Sequence, residues 1–140
     1  MQLRDHNPEI PFPGFFCFFG GELELGEEPK AGLRRELREE LDLEVEAGDI
    51  SYFSQFVFDA IYTDGGIRQR YYFEIPIDPG VINTLVLHEG AGMRLMTAGD
   101  IAEETLRFVP YDLAILRMHM LIREGHFRNA GVEDRAGQGR

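Results

Sequence analysis

The chain has 140 residues, 44% apolar and 28% charged, the profile of one soluble globular domain with a sizeable core. Its formal net charge of −11 argues against nucleic-acid polymers and anionic membranes as partners, since both need a basic footprint. No apolar run approaches the ~20 residues of a membrane span, the polar start MQLRDHNPEI has no signal-peptide core, and the single Cys17 cannot close an internal disulfide, so a cytoplasmic protein is expected.

In chain order, Met1 to Arg4 reads as the end of a strand. Asn7-Pro8 and Pro11 to Gly14 are turn signals. The aromatic run Phe15 to Phe19 predicts a strand buried on both faces, with Cys17 inside it as a small hydrophobe. Gly20-Gly21 breaks that strand. Glu22 to Leu25 alternates polar and apolar residues before Gly26 turns the chain. Pro29 suits the first position of a helix that should run to about Leu41. At ~100° per residue its Leu33, Leu37 and Leu41 form a core-facing stripe.

The next segments are β-rich. Ile50 to Thr63 and Ile67 to Ile77 read as strands, and Asp64-Gly65-Gly66 between them is a hairpin signal. His88 to Gly92 is a glycine-rich loop, and Met93 to Met96 reads as a short strand. Ala98-Gly99-Asp100 introduces a short helix, Ile101 to about Leu106. Pro110 opens a final helix to about Arg123, with Leu113, Leu116 and Met120 on its apolar face. Residues 1 to 123 are expected to be one domain, and 124 to 140 a frayed polar tail.

The acidic excess is concentrated. Residues 22 to 46 carry ten acids against four bases. Within them Glu36, Glu39 and Glu40 stand at i, i+3 and i+4, about one helical turn apart. Like charges so placed weaken an isolated helix. Such a stripe is either left in water or used to hold a cation, through which a small polyphosphate could bind.

The pattern resembles the Nudix box, Gly-x5-Glu-x7-Arg-Glu-U-x-Glu-Glu-x-Gly-U, where U is aliphatic. Gly21, Glu27, Arg35, Glu36, Leu37, Glu39, Glu40 and Leu43 match it, while Asp42 stands where the family has glycine. The resemblance extends over roughly residues 1 to 122. It implies an α/β/α sandwich with a mixed central β-sheet. It also implies metal-dependent hydrolysis of a nucleoside diphosphate linked to another group, with Mg²⁺ as cofactor and Mn²⁺ able to substitute. The metal is expected to acidify a water that displaces a phosphate leaving group in line.

Carried over residue by residue, Glu39 and Glu40 resemble the primary metal ligands. Glu36 resembles a further ligand or the general base, and Glu27 an outer or second-metal partner. Arg35 is expected to orient the glutamates through a bidentate ion pair. The Gly20 carbonyl would add a ligand, and Glu89 would complete the site from its loop. Substrate contacts are expected at Arg68, Arg70, His88, Tyr111 and Asp112, with Asp112 as a simple helix cap the competing role.

The first expectation is a MutT-like nucleoside triphosphate pyrophosphatase. A nucleotide-sugar or dinucleotide polyphosphate hydrolase is the alternative, and a nucleotide-binding regulatory module without turnover is the alternative of another class. Members of the family usually have another strand before the segment matching Met1 to Arg4. An open edge there would favour a homodimer.

Overall fold

Leucines recurring every fourth residue give α1, Pro29–Leu41, one apolar face. Pro29 occupies its first turn, where a missing N–H costs nothing. Asp42 ends the helix in the left-handed region, φ 53° and ψ 27°, the conformation glycine normally supplies. The Asp42 amide donates to the Arg38 carbonyl at 3.0 Å and the Leu43 amide to the Leu37 carbonyl at 3.2 Å, closing the helix end. Leu37, Leu41 and Leu43 are buried, packed against Phe19, Leu33, Val45, Ile75, Val81, Leu85 and Leu87. Full burial of each such side chain is worth about 1.5–3 kcal/mol, which settles which face of α1 turns inward.

These features come from a computed structural model that describes residues 1–61, 65–103, 105–123 and 125. Among them, β1 (Gln2–Leu3) lies between β2 (Phe16–Cys17) and β5 (Gly92–Met93), antiparallel to both. β1 is thus paired on each side and presents no open edge. A parallel bridge joins Phe16 to Phe108, with the Phe16 amide donating to the Arg107 carbonyl at 2.7 Å and the Val109 amide to the Phe16 carbonyl at 2.8 Å. A second, two-stranded sheet is the hairpin of β3 (Ser51–Asp59) and β4 (Ile67–Glu74), irregular between Tyr52 and Ser54. Gly65 and Gly66 turn it with φ of 78° and 88°. Asp64 of the expected turn lies outside the described residues. The architecture is the α/β sandwich expected, mixed β-sheet with flanking helices.

Both hairpin strands are shorter than expected, β3 ending at Asp59 and β4 at Glu74 rather than Ile77, and three further elements differ. The strand expected at Phe15 to Phe19 pairs only at Phe16 and Cys17, and only Cys17 is buried. The Phe18 amide leaves the ladder to donate to the Asp112 carboxylate at 3.2 Å, and Phe19 joins the α1 cluster. The strand at Met93 to Met96 begins at Gly92 and ends at Met93. The helix expected from Ile101 is α2, Ala98–Ala102, which starts earlier because Thr97 and Asp100 form a capping box.

The final helix α3, Pro110–Arg123, has the expected bounds. It is fastened to the hairpin at Glu74, which meets both His119 and Arg123. His126 and nearly all of the tail lie outside the described residues. No helix among the described residues is long and apolar enough to cross a membrane.

Candidate active site

The acidic stripe of α1 divides. Glu40 follows Glu36 by one helical turn and lies closer to the leucine stripe, whereas Glu39 is rotated outward by about 100°. Glu40 is accordingly 4% exposed, and the Glu39 side chain is 58% exposed. The Gly20 amide donates to Glu40 Oε2 at 3.0 Å. Burial, together with the nearby negative charges of Glu89 and Glu36, pushes the Glu40 pKa up to about 7 against the pull of the Gly20 amide.

Arg35 organises the remaining carboxylates. Its Nε and Nη2 donate to the two Glu27 oxygens, both at 3.0 Å, the bidentate geometry expected of this residue. Nη1 donates to Glu36 Oε1 at 2.7 Å and Glu39 Oε2 at 3.1 Å, and Nη2 to the Glu22 carbonyl at 3.0 Å. Hydrogen bonding to Arg35 holds the Glu27 carboxyl below its ordinary range. Gly21 lets the loop pass over this cluster. A Cβ there would lie 2.6 Å from the Glu36 carboxylate carbon and both its oxygens.

A cleft of about 580 Å³ opens over Gly20, Gly21, Glu36, Glu40 and Glu89. Glu27 and Glu39 are not among its lining residues; they stay with Arg35. An adjoining cleft of about 560 Å³ is lined by Phe12, Phe58, Arg68, Arg70 and Tyr111. The two share Pro11, Glu22, Arg68, Arg70 and Tyr111, so they form one continuous groove. Both volumes fall in the range of small-molecule sites.

At the second end Tyr111 is the centre. Its ring stacks on Phe58 at 4.8 Å and 28°, and meets Phe12 edge-on at 6.1 Å. The Arg70 guanidinium lies 4.5 Å from the Tyr111 ring centroid and donates to its hydroxyl at 3.1 Å. Asp112 lies deeper, 3% exposed, accepting from the Phe18 amide and, at 3.0 Å, from the Tyr72 hydroxyl. Both carboxylate oxygens are therefore engaged in tying α3 to β4 and to the segment just after β2, and burial raises the Asp112 pKa. His88 is placed outside the groove, with Nε2 2.9 Å from Asp42 Oδ2 at the end of α1.

Phe12 and Phe58 were not legible as site residues. One lies in a proline-rich loop and the other on a strand, and neither has a spacing that links it to Tyr111.

The donor set suits a hard divalent cation: carboxylate oxygens of Glu36, Glu40 and Glu89, plus a backbone carbonyl at Gly20. The mutual repulsion that Glu40 feels from Glu89 and Glu36 is what a cation would relieve. Among the described residues, however, no three acid, His or Cys side chains stand close enough to grip an ion as they are. Glu36 is turned to Arg35 instead.

The sequence matches the family model described as NUDIX domain over residues 2–117, and the chain belongs to that family. Comparison with curated proteins returned no match, and neither did comparison with solved structures. Membership supports a general activity, hydrolysis of a pyrophosphate linkage.

Proposed function

We propose that this protein is a MutT-like nucleoside triphosphate pyrophosphatase that uses Mg²⁺, with Mn²⁺ able to substitute. The observation that carries the reading is the continuous groove, with carboxylates at one end and an arginine–aromatic cluster at the other. A divalent cation held by the carboxylates would take the polyphosphate, and the arginine–aromatic cluster suits a flat base.

Glu40, Glu89, Glu36 and the Gly20 carbonyl would hold the ion. When bound, Mg²⁺ neutralises phosphate charge and acidifies a water. Glu36, beneath Gly21, can serve as a ligand or accept the proton of the attacking water. Arg35 keeps Glu27 and Glu39 oriented beside it. Arg68 and Arg70 face the phosphate chain from the β4 side of the groove. Tyr111 and Phe58 offer the base a stacking surface, and water is displaced as it enters.

One observation favours a second reading, a nucleotide-binding module without turnover. Arg35 engages Glu27, Glu36 and Glu39 at once, so a metal would compete with it for Glu36. A panel of nucleoside triphosphates, nucleotide sugars and dinucleoside polyphosphates with Mg²⁺, read by product mass, separates these possibilities. Cleavage of triphosphates to monophosphate and pyrophosphate supports the proposal. Preference for another class replaces it with that hydrolase, and binding without products moves it to the module.

A homodimer is proposed as well, through the hairpin rather than β1, because Tyr52, Val57 and Ile67 are exposed there. A monomer in light scattering at micromolar concentration would remove this proposal.

A further inference from the structure

Gln2 is a buried polar residue at the floor of the groove, and none of the matched box residues explains it. It is 4% exposed and lines the carboxylate end of the groove with Glu40 and Glu89. Its side-chain Nε2 donates to the Glu89 carbonyl at 3.1 Å, and its Oε1 accepts from Cys17 Sγ at 3.2 Å.

The loop carrying Glu89 is pressed onto this residue. A Cβ at Gly90 would lie 3.0 Å from Gln2 Cγ, 3.1 Å from its Nε2 and 2.8 Å from the Leu3 carbonyl. The Ala91 amide donates to the Leu3 carbonyl at 2.8 Å, and the His88 amide to the Glu40 carbonyl at 2.9 Å. The Glu89 loop is therefore held both to β1, through Gln2 and Leu3, and to α1, through the Glu40 carbonyl. An apolar side chain would suit the space but would leave the Glu89 carbonyl without that donor.

We propose that Gln2 is a positioning residue: its amide fixes the backbone of Glu89 beside Glu40, so that both carboxylates present to the same divalent cation. This rests on the metal-site reading above. Outer partners that orient ligands typically contribute 10- to 100-fold in metal affinity. A merely structural Gln2 would change stability and leave affinity alone.

The test is Mn²⁺ binding followed by electron paramagnetic resonance of the free ion, beside thermal unfolding, in the wild type, Gln2→Met and Gln2→Asn. Met keeps the length without a donor, and Asn keeps the amide but is too short to reach. The expected result is binding in the wild type, and at least about tenfold weaker binding in both folded variants. Equal affinity in a folded variant overturns the role of Gln2 while leaving the metal site standing. No Mn²⁺ binding in the wild type overturns the metal-site reading, and this inference with it. If Met prevents folding, Asn decides by the same criterion; if neither variant folds, Gln2 is structural and the proposal falls.

Discussion

At the α1 end of the groove, one guanidinium ties together Glu27, Glu36 and Glu39, while burial and a backbone amide isolate Glu40. At the β4 end, Arg70, Tyr111, Phe58 and Phe12 converge from a strand, a helix, the hairpin's other strand and a loop. The first end is built mostly from one helix and the loop before it. The second exists only after distant segments have folded together. The difference teaches where chemistry and selectivity reside: the local, charge-dense end suits bond cleavage, and the assembled end suits the choice of what is cleaved.

The strongest break in that comparison is within the α1 end itself. Glu40→Gln should lower turnover by about a thousandfold, as removal of a group that stabilises developing charge does, with the circular dichroism spectrum unchanged. Glu39→Gln should lose only about tenfold, because its side chain faces solvent and Arg35. Equal losses at both positions, read from steady-state kcat, would put the two glutamates back in one role. Next in size, Leu37→Ala should cost about 2–5 kcal/mol in denaturant titration, because it opens the cluster beneath the site. Val57→Ala on the hairpin, 55% exposed, should cost under about 1 kcal/mol.

The β4 end is sharpened by Tyr111→Ala. Loss of a stacking surface worth about 1–3 kcal/mol should raise KM roughly tenfold and leave kcat nearly unchanged. A fall in kcat with constant KM would move Tyr111 into the chemistry. A smaller effect concerns pH. Arg35 holds the Glu27 carboxyl below its ordinary value of 4.5, so their pairing stabilises the fold above that pH and fades as pH falls through the lowered value. Arg35→Met should therefore be less stable at pH 7, and the gap in Tm should narrow below pH 4.5. The smallest effect is expected from Asp42→Gly, a gain of less than about 1 kcal/mol in thermal unfolding, because φ of 53° suits glycine and the His88 contact is lost.

The same contrast governs what the sequence disclosed. The leucine period, Pro29 and the acidic spacing are local signals, and they place α1 within its observed bounds. The left-handed end at Asp42 falls where the box has glycine, the residue that conformation favours. The aromatic run Phe15 to Phe19 misled because composition reports strand propensity but not partners. Asp112 and the α1 cluster draw Phe18 and Phe19 away from pairing. The helix period gathered three glutamates into one stripe. The tertiary environment then separated Glu40, buried beside Gly20, from Glu39, left in solvent with Arg35. Thr97 and Asp100 could have been read as a capping box, since the signal is local. Phe12 and Gln2 carried no such signal; their positions depend on long-range packing.

The most direct test of the account is product formation from nucleoside triphosphates with Mg²⁺, compared between the wild type and Glu40→Gln. The account predicts nucleoside monophosphate and pyrophosphate from the wild type, and about a thousandfold slower formation in the folded variant. Undiminished product formation in Glu40→Gln, or none from the wild type across the triphosphates, would contradict it.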